Sequence, residues 1–239
     1  MKVVGHTILP VQHLIFTVAG IILALLFCSL STLALGDNLN PGVFSKDSSP
    51  YGVPYREWLG KWWNWTLSLT TQEHPRDNYT PEKCSAGQKG PVWFLADVLT
   101  GKEERTCTIP AGKAILAPTI TGACNYGDKK IKNDDDLRRC ATAGDEYSTI
   151  EVMLDGVKLQ NLEQYRVQTG FFNTNVTKDN IYNDPPGLFK AYADGWMVLL
   201  EPLPPGKHDL HIKASVFNPV ETQYNYSAEW TYHLNIVRP

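Results

Sequence analysis

The sequence predicts a mainly β domain, an antiparallel β-sandwich or jelly roll, carrying one N-terminal amphipathic Trp-rich helix and a disulfide-closed excursion. Three observations carry this. From Pro91 onward, short apolar runs alternate with turn signals. Two Asp-Gly steps, Asp155-Gly156 and Asp194-Gly195, lie between such runs, and Asp-Gly is a strong two-residue hairpin signal because both residues tolerate positive φ. One segment, Tyr55 to Leu69, shows strong helical periodicity. With 43% hydrophobic and 20% charged residues, the chain has material for a real core, which excludes long disorder and multi-pass membrane topology. A formal charge of −3 lacks the concentrated basic face that nucleic acid requires, so no nucleic-acid partner is expected.

The first element sets the compartment. Leu14 to Leu35 is apolar and carries no charge over 22 residues, and about 20 residues of helix cross a bilayer. Lys2 precedes it, and Ala34 and Gly36 occupy the −3 and −1 positions of a signal-peptidase site before Asp37. Residues 1–36 therefore read as a signal peptide, with an uncleaved membrane anchor through residues 14–35 as the alternative. Either way the remainder is expected outside the cytoplasm, secreted or at the cell surface. Residues 37–54, broken by Pro41, Pro50 and Pro54, read as an irregular lead-in, and residues 55–239 as one domain.

In the helix, Tyr55, Trp58, Trp62, Trp65 and Leu69 form one face, widened by Leu59 and Trp63. Glu57, Lys61, Asn64 and Ser68 line the other. A regular apolar stripe is what a core-packed face requires; a sugar-stacking platform or a membrane-interface helix is the competing reading.

The strands follow in order. Val92 to Val98 is a buried run, then come Arg105 to Ile109 and Ala114 to Ala117. Asp155-Gly156 is expected to join Thr149–Leu154 to Val157–Gln160, and Asp194-Gly195 to join Phe189–Ala193 to Trp196–Leu200. Pro202-Leu203-Pro204-Pro205-Gly206 forces a turn into an alternating strand from Lys207 to Val216, and Ser227 to Val237 closes the chain.

Setting Cys28 aside leaves Cys84, Cys107, Cys124 and Cys140, an even number in an exported chain and hence two disulfides. Three connectivities are open; sequential pairing, Cys84–Cys107 and Cys124–Cys140, is the one expected, and zinc is disfavoured because no C-x-x-C spacing occurs. Between the last two cysteines, Asn133 or Asp134 is expected to cap a short helix with acids at its start and Arg138 and Arg139 at its end. Four sequons, at Asn64, Asn78, Asn175 and Asn225, are candidate glycosylation sites.

The run Tyr51-Gly52, Tyr55, Glu57-Trp58, Trp62-Trp63-Asn64-Trp65 resembles the opening motif of a family of uncharacterised secreted proteins. The resemblance continues through Gly90 to Ala96, Cys107 to Ala114, Leu137-Arg138, Tyr165-Arg166-Val167, Asp194-Gly195-Trp196 and Leu203 to His208. It implies one exported domain and transfers no catalytic residue.

The chemistry-bearing residues are sparse. No G-x-S-x-G, H-E-x-x-H or phosphate-cradling loop occurs. His208 and His211 are three apart on a strand, hence on opposite faces; His208 is expected in the core and His211 at the surface. A metal site would need His74, His233 and distant acids, and no metal or cofactor is expected. Asp97, Glu151, Glu201 and Glu229 are the acids that a glycan hydrolase or lyase would use. The leading expectation is a non-catalytic binding or assembly domain whose partner is a glycan or another cell-surface protein. Tyr192, Trp196, Tyr224, Tyr226, Trp230 and Tyr232 form the candidate ligand platform. An envelope or filament subunit is one alternative, a carboxylate-dependent enzyme the other.

Overall fold

A computed structural model describes residues 40, 42–142, 147–220, 222 and 225–238. The expected signal peptide or anchor, and Tyr224, lie outside the described residues. Helix α1 (Tyr55–Ser68) is followed by β1 (Val92–Phe94), β2 (Gly101–Pro110), β3 (Ala114–Asn125), α2 (Asp134–Ala141) and β4 (Ser148–Leu154). Then come β5 (Val157–Lys158), β6 (Arg166–Val176), β7 (Gly187–Leu200), β8 (Gly206–Val216) and β9 (Tyr226–Val237). They form a four-stranded sheet in the order β1-β3-β7-β6 and a five-stranded sheet in the order β2-β9-β8-β4-β5, sharing one core.

The fold is mainly β as expected, with two parallel pairs, β1–β3 and β2–β9, in the otherwise antiparallel sheets. The two sheets bury their strands differently. In β8 and β9 residues alternate strictly: Leu210, Ile212, Ala214 and Val216, and Ala228, Trp230, Tyr232, Leu234 and Ile236, point inward, while the intervening residues face water. Alternation is what a sheet with one wet face requires. In β3 and β7 the runs Ala114 to Ala117 and Met197 to Leu200 are buried without alternation, because these central strands are covered on both faces. Their cover comes from α1 and α2, which pack against them.

Helix α1 behaves as its periodicity predicts. Tyr55, Trp58, Leu59, Trp62, Trp63 and Trp65 are buried, and Glu57, Lys61, Asn64 and Ser68 are exposed. Trp62 donates Nε1–H to the Leu95 carbonyl at 2.8 Å. The Tyr55 hydroxyl donates to the Met197 carbonyl and accepts from the Leu199 N–H. It stands in for the ladder partner that β7 lacks beyond Trp196, where its pairing with β6 ends.

Both expected disulfides are present, Cys84–Cys107 and Cys124–Cys140. Closing loops of 23 and 16 residues, each restricts the unfolded chain by about 3 kcal/mol. Asn133 caps α2, its Oδ1 accepting from the Asp135 and Asp136 N–H groups at 2.9 Å. Leu137 and Ala141 bury against Tyr192 and Ile131, so the excursion carries its own small apolar cluster.

One expected hairpin forms and one does not. At Asp155-Gly156 both residues have positive φ, 51° and 77°, and β4 turns into β5. At Asp194-Gly195 there is no turn, and β7 runs straight through. Asp194 is fully buried and ion-paired by Arg166, with Nε–H to Oδ1 at 2.9 Å, and accepts from the Gln168 amide at 2.7 Å. Gly195 (φ 142°) serves close approach instead: a Cβ there would sit 2.3 Å from the Ile120 carbonyl oxygen of β3.

Candidate functional site

The structure corrects the expected aromatic platform. Trp230 and Tyr232 point between the sheets and are 1% exposed, and Tyr192 is buried against α2. Tyr226 is half-buried with its hydroxyl on the Val98 carbonyl, and Trp196 lies on the other sheet beneath the Arg166 guanidinium. These rings share no surface, because inward register on β9 commits Trp230 and Tyr232 to the core. The outer face of the five-stranded sheet instead presents charged pairs such as Lys102–Glu229.

The expected acids are not brought together as a catalytic pair. Glu151 and Glu229 flank Lys213 across β4, β8 and β9. Hydrogen bonds to Lys158 and Lys102 hold their pKa values below the ordinary carboxylate range, opposite to the shift a general acid needs. Glu201 is exposed after β7. Burial raises the Asp97 pKa against the pull of Arg76 and Arg105, and its Oδ1 is sealed without a partner.

Arg105 is the hub of this internal polar cluster. It is 1% exposed and donates to Glu103, the Tyr232 hydroxyl, and the Asp97 and Arg76 carbonyls, with the Tyr79 and Tyr232 rings 4.9 and 5.8 Å away. His74 is sealed beneath Trp65, its Nδ1 accepting from the Arg76 N–H at 3.0 Å. Burial lowers its pKa to about 3, so it is neutral.

His233 lies on the exposed outer face, away from His74. Its Nδ1 meets Asp209 at 2.7 Å and its Nε2 meets Glu104 at 2.8 Å. His208, half-buried at the start of β8, meets Asp155 at 2.8 Å and the Pro204 carbonyl at 3.0 Å. All four partners are acceptors, so only an imidazolium with two N–H groups satisfies each ring. At His233 the Asp209 hydrogen bond raises the pKa; at His208 burial opposes protonation, and Asp155 and Pro204 outweigh it. A raised folded pKa means stability that is present below the unfolded value, about 6.5, and lost as pH rises through the folded values. The double variant His208→Gln/His233→Gln is therefore expected to be less stable than the parent at pH 5.5 and nearly equal at pH 9, in urea titrations at both. An equal deficit at both pH values refutes the linkage. His211 is partly buried against Thr231. Among the described residues, no group of three or more His, Cys, Asp or Glu is arranged to hold a metal ion.

The feature that sequence reasoning missed is a groove of about 960 Å³ along α1. Its floor is the helix's polar stripe, Glu57, Lys61, Asn64 and Ser68. One wall is β6 from Phe171 to Asn175, and the other is the segment Gly87 to Pro91. Tyr51, 46% exposed, stands at the rim edge-on to Trp58. Gly60 keeps helix and strand close, a Cβ there lying 3.4 Å from the Phe172 ring. Asn64 Oδ1 accepts the Asn175 N–H at 3.0 Å, which sets two of the four sequon asparagines side by side. All four are exposed. The chain matches no protein-family profile, no curated protein and no solved structure.

Proposed function

We propose that this chain is a non-catalytic binding or assembly domain that works outside the cytoplasm, and that its ligand is an extended polymer lying in the α1 groove. The groove carries the reading. A helix that has buried its whole aromatic face still presents a polar floor between two walls, a shape suited to a chain molecule rather than to a compact substrate. The two disulfides fit an oxidising, extracytoplasmic setting, and Asn78 and Asn225, the exposed sequon asparagines that do not line the groove, accord with a glycoprotein there; the groove reading requires Asn64 and Asn175 to be unglycosylated. The carbohydrate version now rests on Tyr51 and on the amides of Asn64, Asn173 and Asn175, since the stacking rings expected on β9 belong to the core.

The test is binding of the folded, disulfide-intact chain to arrayed glycans and arrayed peptides. The control variant is Lys61→Trp, which fills the floor from an exposed position without touching the core. Saturable binding that this variant weakens about tenfold or more supports the reading. Absence of binding to both arrays, or binding indifferent to Lys61→Trp, overturns it.

A further inference from the structure

We infer that the occupant of this groove is an extended polypeptide segment that adds to the four-stranded sheet along the free edge of β6. The inference rests on the groove being a ligand site and names the ligand's class. The register decides which backbone groups are free. On β7 the Ala193 N–H is directed toward β6, where it meets Thr169 Oγ1, while the Lys190 carbonyl is directed toward β3, where it meets the Tyr126 N–H. Odd-numbered β7 residues therefore bond toward β6, and Ala191 and Phe189 pair with Phe172 and Thr174. It follows that Phe171, Asn173 and Asn175 turn their N–H and C=O groups away from the sheet.

The far half of that edge is already satisfied by α1. Asn64 Oδ1 accepts the Asn175 N–H, and the Leu67 carbonyl accepts the Thr177 N–H at 2.9 Å. The near half, Phe171 and Asn173, faces the groove, and among the described residues no hydrogen bond reaches its outward groups. An open edge of this kind is a template for another strand, which proteins ordinarily cover. A peptide main chain repeats its donors and acceptors every second residue, at the spacing of the edge itself. Charge narrows the class. Lys61 on the floor and Lys89 on the wall have no ion-pair partner among the described residues, against the single acid Glu57. The segment is expected to carry acidic side chains over them.

The register also supplies the test. Asn173→Pro removes an N–H that points away from β7, so the ladder within the sheet survives, as for proline on natural edge strands. Peptides selected from a random dodecapeptide display library against the full chain, disulfides intact, would be measured by fluorescence anisotropy. The expected result is a set of acidic, β-prone peptides whose affinity falls about tenfold with Asn173→Pro and stays within about twofold with Asn173→Ala. Should Asn173→Pro fold poorly, N-methylation along the peptide replaces it: binding to the unaltered chain should fail at alternate positions only. Equal affinity for Asn173→Pro, or N-methylation without alternation, overturns strand addition. Glycan binding with no peptide selected overturns strand addition and leaves the groove as a ligand site; failure of both overturns the two together.

Discussion

Gly195→Ala is expected to destabilise the protein by about 4 kcal/mol or more, a large share of the roughly 5–15 kcal/mol that holds an ordinary domain folded. Two costs add. The backbone at Gly195 has φ 142°, a region that side chains avoid, and the new Cβ would meet the Ile120 carbonyl oxygen at 2.3 Å and Thr121 Cα at 2.6 Å. Those neighbours are backbone of the paired strand β3, so relief requires β3 and β7 to separate in the middle of the sheet. Urea titration of the disulfide-intact variant measures the loss, with Gly90→Ala as comparison. Gly90 also has positive φ, 72°, but open space around it, and should cost only about 1–2 kcal/mol. Equal losses at the two positions would show that close approach plays no part at Gly195.

Arg105→Met is expected to cost about 3 kcal/mol, although methionine fills much of the same volume. The guanidinium serves a carboxylate, a hydroxyl and two carbonyls at once from a site 1% exposed to water. The Glu103 carboxylate is 41% exposed and can return to solvent, so its share of the loss is small. The Asp97 and Arg76 carbonyls and the Tyr232 hydroxyl are less able to, and supply most of it. Arg105→Lys should recover less than half, because one ammonium cannot span acceptors arranged for a planar fork. Asp97→Asn should be milder in the Arg105→Met background than alone, since Arg105 is one of the two cations that lower the Asp97 pKa. Chemical denaturation of the parent and the four variants resolves these terms; full rescue by lysine would show that charge alone matters at this site.

How far the sequence could be read depended on which surfaces each element buries. Helix α1 was legible because its apolar residues recur at the helical period and its far side is wet, and β8 and β9 because a sheet with one face in water alternates residue by residue. The strands β3 and β7 lose that signal, since helices cover the second face. With alternation gone, Asp194-Gly195 looked like a turn, whereas Arg166 and Gln168 neutralise the buried Asp194 inside a continuous strand. The β9 aromatics were misplaced although the local signal was there: Trp230 and Tyr232 share the alternating set with Leu234 and Ile236, opposite Glu229, Thr231 and His233, and that register commits them to the core.

Periodicity, turn chemistry and cysteine parity were local properties, sufficient for the mainly β class, the Trp-rich helix, the capped excursion and the count of two disulfides. The groove belongs to another scale. It exists because Asn64 on α1 meets Asn175 on β6, 111 residues later in the chain, and because strand register turns the Phe171 and Asn173 main-chain groups outward beside it. A main-chain donor is the same atom at every position, so no residue type marks where one is left open. That is set by which strand lies on the other side, and only the assembled sheets contain it.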